Sequence, residues 1–377
     1  VGFVARPWAL RLALAAALLA GPAVAQDGPP GIVTPTAFPA FDPVAPACTP
    51  PPGLTKTLVF AQDNTREFMQ GVDHGLSLAA KDRGLDYSVA LADNDAQKMI
   101  EQVDALREAA TGAIVAAPVD ALSLAPSLQQ VIWSGAYVGT VVPPPATSLL
   151  NAPQYLTGQT LAEAAAAYIR DHLGGKANVV LLTHDSLEFL APRFTAMRDV
   201  LSAMPDVNIV ADISPISVDK QGGKVTMDII LLAHPEIDVV LGADTVVLGA
   251  LQSLREAGKD RPEQFLGGID GEPEAVAEIK AGGPYKTSVS LASPVFAYAM
   301  GQHAADWLEG KSIPQAMDIL PSLLTQENLT QYEADQLDPA AVYADAVRRD
   351  AYLKMYGNIC YDTRDQYVNF PWSSEAR

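Results

Sequence analysis

The chain has 377 residues, 49% of them hydrophobic, and a formal net charge of −19. This length points to two domains plus extensions, with ample apolar material for real cores. The acidic balance argues against nucleic acid or an anionic membrane surface as a partner, and it favours solubility.

The first 25 residues read as a targeting segment. Arg6 and Arg11 form a basic region, residues 12–20 an apolar run, and Ala23-Val24-Ala25 a small-residue cleavage site. A membrane-spanning helix needs about 20 apolar residues, and this run is shorter. Cleavage near Ala25 and a periplasmic location are expected. Because the segment carries two arginines and no acid, its removal takes the charge from −19 to −21. Neither cysteine, Cys48 or Cys360, stands at a lipoprotein position after the apolar run. In an oxidising compartment the pair is expected as a disulfide, with two free thiols the alternative.

Residues 26–54 are rich in Pro, Gly and Ala and read as an extended arm. The run 57–61 (TLVFA) is a buried strand, and 68–83 a helix with Phe68, Met69, Val72, Leu76 and Ala79 on one stripe. Strands at 87–91, 112–116 and 137–142 alternate with helices at 95–110 and from 120 to 134, which makes one doubly wound α/β lobe. Residues 143–155 read as a loop leading out of it. An alanine-rich helix at 161–172 and Gly174-Gly175 then reset the pattern. Strands at 179–183 and 207–213 and helices at 192–204 and 224–233 begin a second lobe.

The stretch 234–271 has the clearest signal. Residues 237–241 are apolar without alternation, as in a strand buried on both faces. Residues 245–257 carry apolar positions at helical spacing, Gly258 stands where a C-cap glycine is expected, and 265–269 is a second buried strand. Strand, helix, strand at this spacing is a right-handed crossover in a parallel sheet. Ligands in such sheets lie beyond the carboxyl ends of the strands, where Asp244 and Asp270 fall. Further on, 285–291 reads as a strand leading back toward the first lobe, 295–308 as a helix and 340–356 as one amphipathic helix; the tail 359–377 is aromatic without a clear period.

Three pieces of this stretch, Ala233-His234-Pro235, Asp244 with Leu248–Leu251, and Gly268–Gly271, resemble the second lobe of type I periplasmic binding proteins of the ribose/galactose group, which serve ABC importers. The resemblance covers about residues 57–320. It implies two doubly wound parallel-sheet lobes joined by a multi-segment hinge near Thr157, Leu291 and Pro321. The corresponding division is a signal peptide at 1–25, an arm at 26–54, a first lobe at 55–157 plus 292–321, a second at 158–291 plus 322–330, and a C-terminal extension at 331–377. The extension exceeds the usual family ending and is expected to pack over a lobe, tethered by Cys360.

The resemblance also supplies site candidates. Arg193, in the first turn of a helix begun by Pro192, matches an arginine that contacts sugar hydroxyls, and Asp270 matches the cleft aspartate that accepts from them. A solvated surface arginine and an ordinary Asp-Gly turn are the plain alternatives. Asp244 is a ligand candidate but reads better as a helix N-cap, because Ala243 occupies the place of the family's ligand-binding asparagine. Asp63, Arg66 and Phe68 stand in the loop where the ribose group has Asn-Pro-Phe-Phe. Phe68 reads equally as a stacking ring or as core, and Arg66 as reaching the cleft or solvent. His184, Asp185, Glu188 and Phe189 precede Arg193 and are weaker candidates. Val142-Pro143 replaces the group's Asp-Arg, and Ala117 and Ala292 fall near other polar contacts, so binding in the ribose manner is not expected.

The five histidines show no metal-binding spacing, and no nucleophile elbow, phosphate loop or dinucleotide fingerprint is present in the sequence. The expectation is therefore a monomeric, non-enzymatic solute-binding protein without cofactor or metal. It would close over a sugar or polyol and deliver it to an ABC permease in the inner membrane. The alternative is a sensory module presenting its ligand to a chemoreceptor or sensor kinase.

Overall fold

The structure is a computed structural model describing Gly2, residues 31–141 and residues 143–375. The segment expected as an export signal, apart from Gly2, and the first residues of the arm lie outside the described residues, as does Val142.

The chain begins with a parallel α/β run: β1 (Thr55–Gln62), α1 (Glu67–Arg83), β2 (Asp86–Leu91), α2 (Ala96–Glu108), β3 (Thr111–Ala116), α3 (Ala121–Trp133), β4 (Tyr137–Thr140) and β5 (Ser148–Asn151). Each helix start and stop has a local cause. Asp95 and Asp120 accept from the amides of Lys98 and Ser123 at the starts of α2 and α3, and Gly84 ends α1 in the left-handed conformation. Every residue of β3 (TGAIVA) is buried, as a central strand covered by helices on both faces requires.

A second run follows: α4 (Gln154–His172), β6 (Ala177–Leu182), α5 (Ala191–Ser202), β7 (Val207–Ile213), α6 (Lys220–Ala233), β8 (Val239–Leu241), α7 (Asp244–Glu256), β9 (Phe265–Asp270), α8 (Pro273–Ala281) and β10 (Tyr285–Ser290). The chain then returns with α9 (Ser293–Leu308) and β11 (Ala316–Ile319), crosses again for β12 (Ser322–Leu324) and α10 (Leu329–Leu337), and ends in α11 (Pro339–Ala344), α12 (Ala346–Tyr352), β13 (Leu353–Tyr356) and a 3-10 helix, Tyr361–Gln366.

Two sheets result. The first has the order β13-β11-β5-β4-β3-β1-β2 and the second β12-β10-β9-β8-β6-β7. All neighbours are parallel except the edge pairs β11–β13 and β10–β12. These are the two doubly wound lobes that the sequence implies. The main chain passes between them after β5, at Leu291-Ala292 and at Leu320-Pro321, and a fourth time where α10 leads into α11. Helices α1 and α9 pack closely on the first lobe because Gly75 has no side chain: a Cβ there would lie 2.3 Å from the Pro294 carbonyl oxygen.

Two expected elements differ. Residues 143–155 are not all loop, since β5 lies among them. Its four residues are too few to show a period, and it is fixed as a strand between the neighbouring β4 and the distant β11. Nor are residues 340–356 one helix. Asp345 accepts from the amides of Val347 and Arg348 and restarts the helix. Leu353–Tyr356 then leaves helical geometry to pair antiparallel with β11.

The extensions cover the first lobe. Cys48 and Cys360 are joined by a disulfide with their Cα atoms 6.2 Å apart. Thr49 donates its amide to Asp362 at 2.7 Å, and Ile32 and Ala146 both bridge to Val368. Phe38 and Tyr356 meet Trp372 at ring-centroid distances of 5.6 and 5.4 Å. This small aromatic core explains why the tail, which shows no period, is ordered.

Candidate functional site

The carboxyl end of β9 is the natural place to start. Asp270 closes the strand with φ of 121°, and Gly271 follows at 71°. A side chain at such a φ is strained by about 1–3 kcal/mol and persists only where surroundings impose it. Here they do. Gly271 donates its amide to Ser288 Oγ at 3.0 Å, and Glu272 donates its amide to Asp244 Oδ2 at 2.9 Å. Ser288 Oγ donates to the same Asp244 oxygen at 2.7 Å, and the Tyr285 hydroxyl donates to Asp244 Oδ1 at 2.5 Å. Gly268 makes room for this carboxylate, since a Cβ there would stand 1.8 Å from Asp244 Oδ1.

The cap reading of Asp244 is thereby corrected. Ala243 holds the N-cap position of α7, while the Asp244 side chain turns inward to anchor the Asp270 turn. It is fully buried and has no surface to offer a ligand. Burial pushes its carboxyl up to about 7, against the hydrogen bonds from Tyr285, Glu272 and Ser288.

Arg193 lies in the first turn of α5, and its side chain is inside the protein, with 5% of the residue exposed. Its Nε donates to Gln154 Oε1 at 2.8 Å. Gly158 permits α4 to approach here: a Cβ there would fall 1.9 Å from the Arg193 carbonyl oxygen. Burial lowers the guanidinium's affinity for its proton, and Asp270 opposes that. Among the described residues the Asp270 carboxylate accepts no hydrogen bond and forms no ion pair within 4 Å. Burial raises it to about 6, while the charges of Arg193 and Arg66 pull it down. Glu272, next along, is pushed up to about 8 by burial and by the like charges of Asp270, Asp244, Glu67 and Glu274.

The first lobe faces this wall with groups that satisfy one another. Arg66 Nη1 donates to Asp63 Oδ2 at 2.6 Å and to Asn64 Oδ1 at 2.9 Å, and the Asn64 amide donates to Asp63 Oδ1. The Arg66 side chain is 46% exposed, and its charge is felt at Asp270 in the opposite lobe. Phe68 packs on the first-lobe core with its ring 6.0 Å from Phe296. Phe189 is exposed on the loop before α5, and Asp185 on that loop is held by Arg198.

The structure thus brings Arg193, Asp270 and Arg66 into one electrostatic neighbourhood. Asp63 is tied to Arg66, Phe68 serves the core, and Asp244 lies behind the site. Sequence reasoning missed Gln154, Tyr285, Ser288 and Glu272. A hydroxyl-bearing strand beside a buried acidic position was the available signal for Ser288 and Tyr285, and Gln154 lay in a stretch read as loop. A cavity of about 610 Å³ lies elsewhere, between the arm and the C-terminal extension, near Phe41, Tyr343 and Arg349. Of its cations, Lys311 and Arg349 are paired with Asp306, Glu309 and Asp350, and Lys354 lies over the Tyr356 ring, so it reads as a solvated groove.

Two mostly parallel lobes, facing each other across strand ends and joined by several crossings, are matched by a model of the periplasmic binding protein domain over residues 57–312. The chain belongs to the periplasmic binding protein family. It is 27% identical over 271 residues to the ribose import binding protein RbsB of Bacillus subtilis (strain 168), covering 69% of this chain and 84% of that protein. It is 30% identical over 246 residues to a xylitol-binding protein of Mycolicibacterium smegmatis (strain ATCC 700084 / mc(2)155), covering 62% of this chain and 67% of the other. Its fold superposes, with a TM-score of 0.65 and 21% identity, on an ABC transporter solute-binding protein from Bacillus halodurans C-125 with bound myo-inositol, covering 75% of this chain and 99% of that one.

Proposed function

We propose that this periplasmic binding protein is the solute-binding component of an ABC importer and closes its lobes over a small sugar or polyol, with Arg193 and Asp270 as the central polar pair. One observation carries the reading. A buried guanidinium and a carboxylate that accepts no hydrogen bond among the described residues stand together at the carboxyl ends of the second-lobe strands. Buried polar groups normally find partners, and vicinal hydroxyls supply both kinds, accepting from arginine and donating to carboxylate. The names of the relatives, for ribose and xylitol, agree with that chemistry. Arg66 and Asp63 approach from the first lobe on closure, and Phe189 borders the entrance.

In this reading the protein is exported, acts as a monomer in the periplasm, and presents its closed form to the permease. Closure follows from ligand binding both walls at once, which shifts an open–closed equilibrium. No reaction is assigned to it. A thermal-shift screen with ribose, xylitol and myo-inositol tests the proposal, since ligand at 100 times its dissociation constant adds about 2.7 kcal/mol. A shift with one of them, together with a smaller radius of gyration in solution scattering, is the expected result. The absence of a shift with any sugar or polyol overturns the ligand class, and turnover of the ligand overturns the binding-only role.

A further inference from the structure

The C-terminal chain after β12 does more than cover a lobe. Helix α10 contributes Leu329 and Tyr332 to the core of the second lobe, whereas Val342, Tyr352 and Leu353, which follow it, belong to the core of the first. The Tyr332 hydroxyl lies 2.7 Å from Ser290 Oγ, and 3.4 Å from the Gly271 carbonyl oxygen. A Cβ at Gly271 would come within 2.7 Å of that hydroxyl. Tyr332 therefore seats the turn that carries Asp270 through Ser290 and the Gly271 carbonyl, while Asp244 holds it through Ser288 and the Glu272 amide. One turn further along α10, Asp335 is buried and accepts from the Tyr352 hydroxyl at 2.6 Å and Arg348 Nη2 at 2.5 Å, both on α12.

We propose that Tyr332 is a positioning residue for the Asp270 turn, and that α10, latched to α12 through Asp335, couples this turn to the first lobe. The proposal rests on the reading of Asp270 as a ligand contact only for its effect on affinity; the mechanical coupling stands without it. A residue in the fourth crossing then tunes binding without touching ligand. The turn needs such support because its backbone is strained at Asp270. Two hydrogen-bonded clamps, Asp244 with Ser288 and Tyr332 with Ser290, hold that geometry against relaxation.

The first test needs no ligand. Hydrogen exchange of the Gly271 and Glu272 amides is measured in the wild type, in Tyr332→Phe, and in the Tyr352→Phe/Arg348→Met double variant. Tyr332→Phe keeps the ring and removes the hydroxyl, and exchange should quicken by about fivefold, the factor expected for one net hydrogen bond. The double variant, which touches neither amide, should quicken the same two amides through α10. Unchanged exchange in Tyr332→Phe overturns the positioning role. Unchanged exchange in the double variant overturns the coupling.

The second test uses xylitol, ribose and myo-inositol in calorimetry. Tyr332→Phe should weaken binding about fivefold in the wild-type background and have no further effect in an Asp270→Asn background. A purely structural role would give equal losses in both backgrounds and overturn the proposal. Full affinity in Asp270→Asn alone would instead sink the ligand-site reading, leaving the exchange result to decide the clamp.

Discussion

The two lobes share one topology yet divide their duties. The first is tied down from outside, by the arm, the β13 edge strand and the Cys48–Cys360 disulfide. Its cleft residues are already paired: Arg66 with Asp63, and Phe68 against Phe296. The second has no such tether among the described residues, and it keeps charged groups buried and short of partners. The difference teaches where recognition is set. A wall with satisfied groups gains little from a ligand, whereas a wall with desolvated, open donors and acceptors gains much.

The largest expected effect lies in the tether. Linking Cys48 to Cys360 closes a loop spanning 312 positions. In the chain-entropy model this stabilises by about 6 kcal/mol. Cys48→Ser/Cys360→Ser should therefore lower the unfolding midpoint and quicken hydrogen exchange in the arm and tail while sparing β8 and β9. Uniform loosening of both lobes would erase the proposed division.

Next come the recognition residues. Asp270→Asn and Arg193→Ala are each expected to weaken sugar or polyol binding by about 10- to 100-fold, corresponding to about 1.5–3 kcal/mol per charge-assisted hydrogen bond. Calorimetry is the measurement, and near-native affinity in both would remove the second-lobe wall from the site. Asp244→Ala should act on stability first. It strips an acceptor from Tyr285, Ser288 and the Glu272 amide together, at a cost of about 1–3 kcal/mol or more. Chemical denaturation with an unchanged slope would report that loss.

The lobes should also answer pH with opposite signs. A carboxyl whose folded pKa is raised keeps a proton that the unfolded chain has already released, so stability falls as pH rises through that window. Asp270, Asp244 and Glu272, raised to about 6, 7 and 8, make the second lobe more stable at the acidic end of that range. His303 in α9 is buried with both ring nitrogens unpartnered among the described residues, and burial lowers it from 6.5 to about 4. Its contribution is present above 6.5 and lost as pH falls toward 4. Exchange measured lobe by lobe between about pH 5 and pH 8 should show the second lobe loosening as the pH rises. Ligand affinity should fall as pH drops below about 6, where Asp270 gains its proton.

The smallest effect is expected from Arg66→Ala. Its half-exposed ion pair with Asp63 is worth at most about 1 kcal/mol, so affinity should change by only a few fold. A loss matching that of Arg193→Ala would place recognition equally on both walls.

By itself the sequence determined the alternation of strands and helices. Continuous apolar runs such as TGAIVA and VVL, set between helices of 3.6-residue period, have few other ways to bury themselves. Arg193 and Asp270 came forward as candidates through the resemblance to the ribose/galactose group, since a proline-started helix and a strand-ending Asp-Gly are by themselves ordinary local features. Tertiary structure decided whatever depended on distant partners. β13 pairs only with β11, and β5 lies between β4 and β11, so these four-residue strands are set by their neighbours rather than by a period of their own. Asp244 looks like a cap in one dimension, yet the hydroxyls of Tyr285 and Ser288, 41 and 44 positions away, turn it inward. Likewise Tyr332 reaches Gly271 across 61 positions, a contact no local pattern encodes, because folding alone brings α10 beneath the end of β9.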